Sequence, residues 1–202
     1  MFGSLTPRAE RGATPRRARG DDGAAMVEAA IVMPLLMLLV FGIIEWGLAF
    51  LTATSTNSAA RAGARTASAL TKNSTYADQA VLAVEQNLKG AIPFATPLEM
   101  WVYRVDPSGS NTSGYPVGNP GFSDCTTDCI KYSWNGTDFV ATGGPGWSAA
   151  SQQACGNPTS FDSLGVYLKV RHNFVTNFFG SSKIIAEHTV MRLEPQPLNN
   201  CP

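Results

Sequence analysis

The chain has 202 residues, and its 15 Lys and Arg balance 15 Asp and Glu, so the formal net charge is zero. That length leaves room for one small domain beside a membrane segment, and the balanced charge gives no electrostatic footprint for nucleic acid. Four cysteines, Cys125, Cys129, Cys155 and Cys201, all fall in the C-terminal part and point to an oxidising compartment.

Residues 1–23 hold five arginines (Arg8, Arg11, Arg16, Arg17, Arg19) against Glu10, Asp21 and Asp22. They show no apolar periodicity and read as a disordered, solvated leader. Positive charge ahead of a span places that side in the cytoplasm. The organisation predicted is a cytoplasmic leader over 1–23, a transmembrane and juxtamembrane helix over 24–72, and an exported domain over 73–202.

From Ala29 to Phe50 the chain is apolar except for Pro34 and Glu45, a run of 22 residues. As a helix it measures roughly 33 Å at about 1.5 Å per residue, against about 30 Å of hydrocarbon in a bilayer. It is too long for the apolar region of a removable secretory signal, for which Ala53-Thr54-Ser55 is only a weak cleavage site. Pro34 reads as a kink of the kind membrane helices tolerate. Glu45 either reaches the outer interface or faces protein rather than lipid. Trp46 beside it suits an interfacial aromatic belt.

Gly23 and Glu28 frame the start of this run. A glycine, four residues, a glutamate and then an apolar helix, behind a basic leader, form the pattern recognised by prepilin peptidases. Cleavage after Gly23 makes Ala24 the new N-terminus, whose amine, with a pKa of about 8, is charged. Ala24 and Glu28 share one helix face, where the carboxylate can pair with its own amine or a neighbour's.

Arg19-Gly20, Val27-Glu28-Ala29-Ala30, Pro34 and the FGIIEWG stretch with Gly42, Glu45 and Gly47 resemble the TadE-like proteins of tight-adherence pilus systems. The SAARAGARTAS segment at 58–68 resembles the family's post-membrane helix. The likeness covers roughly residues 19–70. It implies a pilin-like minor component with other pilus subunits, an inner-membrane assembly platform, prepilin peptidase and membrane lipid as partners. Major pilins of this system carry an aromatic residue directly after the glutamate; Ala29 stands there in this chain, which argues against a major pilin.

The helix is predicted to continue to Leu70, since only Gly63 offers a stop between Leu51 and Thr71. Ala49, Ala53, Ala60, Ala64 and Ala67 form a small-residue stripe that permits close approach, and Arg61 with Arg65 forms a solvated or headgroup-facing edge. Asn73-Ser74-Thr75 offers a break and a new N-cap. Residues 75–89 then carry Ala77, Ala80, Val81, Val84 and Leu88 at helical spacing, ended by Gly90 and Pro93.

Beyond this the apolar period becomes two. Strands are predicted over 98–105, 128–134, 137–141, 163–174 and 184–193, with Asn135-Gly136 as a hairpin turn. The fold class is therefore α+β: a long N-terminal transmembrane helix continuing into a pilin-like domain with a second helix and an antiparallel sheet of about five strands. Residues 106–127 and 142–162 are long loops. Their aromatics, Tyr115, Phe122, Trp147 and Phe161, either make a contact surface or pin the loops down.

The preferred cysteine pairing is Cys125 with Cys129 and Cys155 with Cys201; a zinc site is the rival. His172 and His188 read as partly buried structural residues. None of the familiar nucleophile-elbow, phosphate-loop, dinucleotide or zinc-protease motifs occurs. No catalytic residue, cofactor or metal ligand is nominated, and the chain is not expected to be an enzyme. Asn73, Asn111 and Asn135 begin N-x-[ST] triplets, read as chance. The alternative to a pilus component is a membrane-tethered or secreted ligand-binding module, for which two acids in the apolar helix have no use.

Overall fold

Helix α1 runs without interruption from Asp21 to Ala69, 49 residues through Pro34. In the computed structural model the described residues are 21–89, 93–105, 114–118, 121–197 and 201. Most of the arginine-rich leader, the tip of the first long loop with Asn111, and Gly90 lie outside them. Asp21, Asp22 and Gly23, expected in the leader, are already helical. By packing, the chain divides into Met1–Gly42 and Ile43–Pro202. In the first unit every residue from Gly23 to Phe41 is exposed. The helix is long and apolar enough to cross a membrane, and an apolar surface on all sides of an exposed helix suits lipid rather than water.

In the second unit α1 buries one stripe: Ala49, Thr52, Thr56, Ala59, Ala60, Ala64 and Ala67. The helix does not stop at Gly63. A Cβ there would sit 2.6 Å from Val84 Cγ2 and 3.3 Å from the Ala80 carbonyl. The glycine is a point of close approach to helix α2 (Tyr76–Leu88) rather than a terminator. Asn73 turns the chain between the helices, its Oδ1 accepting from the Thr75 amide and hydroxyl, each at 3.0 Å. Helix α2 buries Tyr76, Ala77, Ala80, Val81, Val84 and Leu88, the face its spacing predicts.

Five strands follow: β1 (Ala95–Arg104), β2 (Cys129–Trp134), β3 (Phe139–Gly143), β4 (Ser163–Asn173) and β5 (Ser182–Arg192). They form one sheet in the order β3-β2-β1-β4-β5, every pair antiparallel. Strand β1 starts earlier than predicted because a register shift between Pro97 and Glu99 absorbs the proline. The β2–β3 turn is longer than a two-residue Asn-Gly hairpin. Trp134 pairs with Phe139, and Asn135 Oδ1 caps the loop by accepting from the Thr137 and Asp138 amides, each at 2.9 Å. Strand β3 therefore begins at Phe139 instead of Thr137.

Both faces of the sheet centre are covered. Met100, Val102, Leu164, Val166, Leu168 and Val170 pack with the helices. Trp101, Tyr103 and Tyr167 pack on the other face with Phe122 from the first long loop. Phe122 stacks on Tyr167 at 3.8 Å. Tyr103 lies over Gly165, its cross-strand partner, and fills the space a side chain there would need. Trp147 and Phe161 are buried too, so these three aromatics pin the loops. Arg104 joins both loops, bonding Asp162 at 2.9 Å and Asp128 at 3.3 Å. The cysteines pair as Cys125–Cys129 and Cys155–Cys201. The second bridge closes a separation of 46 residues and ties the C-terminal tail to the second loop, a constraint worth about 2–4 kcal/mol.

Candidate functional site

Apart from the four cysteines, already placed in their two disulfides, the site residues singled out by sequence lie on α1 and fall into two environments. Gly23, Ala24 and Glu28 are exposed in its first turns, with Ala24 and Glu28 one turn apart. Pro34 is exposed and Gly42 half-buried. A Cβ added at Gly47 would meet nothing within 4 Å. Gly47 is therefore a small, open step on the helix surface, unlike Gly63.

Glu45 is in the other environment. Only 1% of it is exposed, and of its two readings the structure selects the protein-facing one. Its Oε2 accepts from the Val175 amide at 3.1 Å. Its Oε1 accepts from the Thr176 hydroxyl at 2.7 Å and from the Thr176 amide. The carboxylate thus holds the turn between β4 and β5, 130 residues away in sequence, through hydrogen bonds from two amides and a hydroxyl.

Two turns further along α1, Thr52 meets His172. The Thr52 hydroxyl donates to the Leu48 carbonyl at 3.0 Å and lies 2.9 Å from His172 Nδ1. Which of these two atoms donates follows from the tautomer of the ring. The ring is fully buried, and the Phe94 backbone adds a hydrogen bond that favours its charged form. Burial pushes the imidazole below the usual histidine range, although the Glu45 charge pulls the other way. His172 is thus fully buried and structural, whereas His188 is exposed and stacks on Tyr115. Among the described residues no three His, Cys, Asp or Glu side chains come together as a metal site.

The α1 positions Glu45, Ala49, Thr52, Thr56, Ala59, Ala60, Ala64 and Ala67 make one buried stripe at helical period. The sequence pattern pointed to Ala49, Ala60, Ala64 and Ala67; it included Ala53, which is only half-buried, and lacked Ala59, Thr52 and Thr56, and it gave Thr176 no role. The threonines were hidden because their hydroxyls are consumed within the helix; Thr56 donates to the Thr52 carbonyl at 2.7 Å. The β4–β5 turn carries no motif, and only the unexplained acid at Glu45 could have pointed to it.

The stretch holding both environments is also the one that comparison with known proteins identifies. A family model described as TadE-like protein matches residues 23–65, from the glycine of the processing pattern to just beyond Gly63. No curated protein and no solved structure matches the chain.

Proposed function

We propose that this chain, whose residues 23–65 are TadE-like, is a pilin-like minor subunit in the assembly of a tight-adherence pilus. The TadE-like segment and the long apolar helix support a membrane protein of pilus assembly. The finer reading adds a topology and a role. The arginine-rich leader stays in the cytoplasm, and the disulfide-bonded domain lies outside the cytoplasmic membrane. The exposed apolar half of α1 serves as the lateral surface on which other subunits and the membrane platform assemble. The protein acts as a structural part rather than as an enzyme.

The observation that carries this reading is the coincidence of the family match with the exposed start of α1. Glu28 is an exposed acid at the head of an apolar helix, where no described contact within the chain uses it. Glu45 no longer bears on the choice, because the fold itself uses that carboxylate. In cells carrying prepilin peptidase, N-terminal sequencing of the membrane-extracted protein is expected to start at Ala24, and in cells lacking it, ahead of Gly23. Glu28→Gln is expected to leave the thermal melt of the domain unchanged while pili counted by electron microscopy fall. Normal piliation with Glu28→Gln, or an uncut chain in both strains, leaves the tethered binding module as the better reading.

A further inference from the structure

We infer that the tip of the β4–β5 hairpin, with the adjoining turns of α1, is a second lipid contact that seats the domain in the phospholipid headgroup layer. The inference rests on the reading of α1 as a membrane span and goes beyond it, since a tether alone asks nothing of the domain.

A water-facing hairpin tip is normally polar. This one reads Val175-Thr176-Asn177-Phe178-Phe179-Gly180. Asn177 and Gly180 adopt positive φ, 58° and 102°, and supply the turn geometry. The remaining large residues are apolar and face outward: Val175 is 63% exposed and Phe178 65%. On the neighbouring helix surface Phe50 is 72% exposed and Trp46 about half. A contiguous apolar patch of this kind marks an interaction surface.

The height of the patch is fixed. Glu45 holds the Val175 and Thr176 amides, so the tip lies level with Glu45. That position is five residues short of Phe50, where the apolar run ends, or about 7.5 Å along the helix axis. The composition also matches a headgroup layer. Trp46 packs against Phe179 with ring centroids 6.1 Å apart, and Lys183 Nζ lies 5.4 Å from the Trp46 ring centre. Trp, Phe and a snorkelling Lys at the end of a span are the side chains that favour the interface, the ammonium reaching lipid phosphate. Trp46 and Phe50 belong both to the patch and to the last turns of the apolar run, which makes the bilayer its occupant. Side chains of such a seat enter about 5–10 Å into the headgroup and acyl boundary.

The test uses the full chain in vesicles of phosphatidylethanolamine and phosphatidylglycerol containing brominated acyl chains. Phe178→Trp adds a reporter at the tip. Val190→Trp adds one on the same edge strand, eight residues beyond Ser182 and roughly 25 Å along it at about 3.3 Å per residue. The signal is read as the difference from the protein with its four native tryptophans. The Phe178→Trp emission is expected to shift to the blue and to be quenched by shallow bromines more than by deep ones, with Val190→Trp untouched. Quenching of Phe178→Trp by aqueous iodide instead, with the chain still carbonate-resistant in the vesicles, overturns the seat and leaves the anchor standing. Protection from both quenchers means that a second protein copy covers the tip, and overturns it equally. A chain that carbonate strips from the vesicles overturns the anchor and the seat together.

Discussion

Helix α1 is one element with two halves that obey different rules. From Gly23 to Phe41 it is rich in Leu, Ile, Val and Met, and none of these side chains is buried. From Glu45 to Ala67 it is rich in Ala, Thr, Ser and Gly, and buries them along a single stripe. The contrast shows that residue size, more than hydrophobicity, divides the work. Large apolar residues on all sides need a solvent of lipid. Small residues on one side let the helix backbone approach α2 and the sheet closely, as at Ala59, Ala60, Gly63 and Ala64. The two glycines Gly47 and Gly63 put the same contrast in miniature, one in open space and the other pressed against Val84.

The largest effect expected from this contrast comes from those glycines. Gly63→Leu should cost about 3 kcal/mol or more, since overpacking typically costs about 1–3 kcal/mol and here the obstruction includes the Ala80 backbone. Gly47→Ala should cost nothing and stabilise the helix by up to about 1 kcal/mol. Thermal melts of the full chain in detergent, followed by near-ultraviolet circular dichroism, measure both. Equal effects at the two positions would mean that the division drawn between the halves is wrong.

The same glycine shows where sequence reading runs out. Within its own segment Gly63 looks like a helix stop, because a local pattern cannot distinguish a glycine that ends a helix from one that admits a neighbour. The long helix itself was legible, since nothing else between Leu51 and Leu70 opposes it. The strands were legible where one face alternates, as in β4 with Val166, Leu168 and Val170 against Tyr167 and Lys169. Their ends were not, because Pro97 is absorbed by a bulge and Asn135 caps a loop longer than its motif suggests. At the site, Gly23, Glu28 and Glu45 stood out as chemical oddities. Thr176 and His172 did not, since each gains its role only when the fold brings a distant segment to α1.

The next effect is at the boundary between the halves. Glu45→Gln replaces a carboxylate that accepts from Val175 and Thr176 with an amide whose NH2 opposes those donors. The β4–β5 turn should loosen, and hydrogen exchange at the Val175 and Thr176 amides should quicken, while the far ends of β4 and β5 keep their protection. Glu28→Gln, an identical substitution in the exposed half, should leave exchange in the domain unchanged. Unaltered exchange in Glu45→Gln would show that the turn is held by something other than the acid.

The smallest effect is a pH dependence confined to the buried half. His172 is held neutral by burial, and its folded-state pKa lies below the ordinary histidine value of about 6.5. Protonation then favours the unfolded chain. The stability due to the neutral ring is fully present above about pH 6.5 and is lost as pH falls toward the lower folded-state pKa. Glu45 is the charge that opposes this loss. Denaturant midpoints measured from pH 7.5 down to pH 5 should therefore fall, and His172→Gln, which cannot titrate, should flatten that part of the profile. Thr52→Val gives a second handle: it removes the hydroxyl partner of His172 Nδ1 and should lower stability at every pH without flattening the slope. A profile that His172→Gln leaves unchanged would assign the acid sensitivity to carboxylates elsewhere in the domain, and the β4 ring that meets the buried half of α1 would then not be the group that titrates.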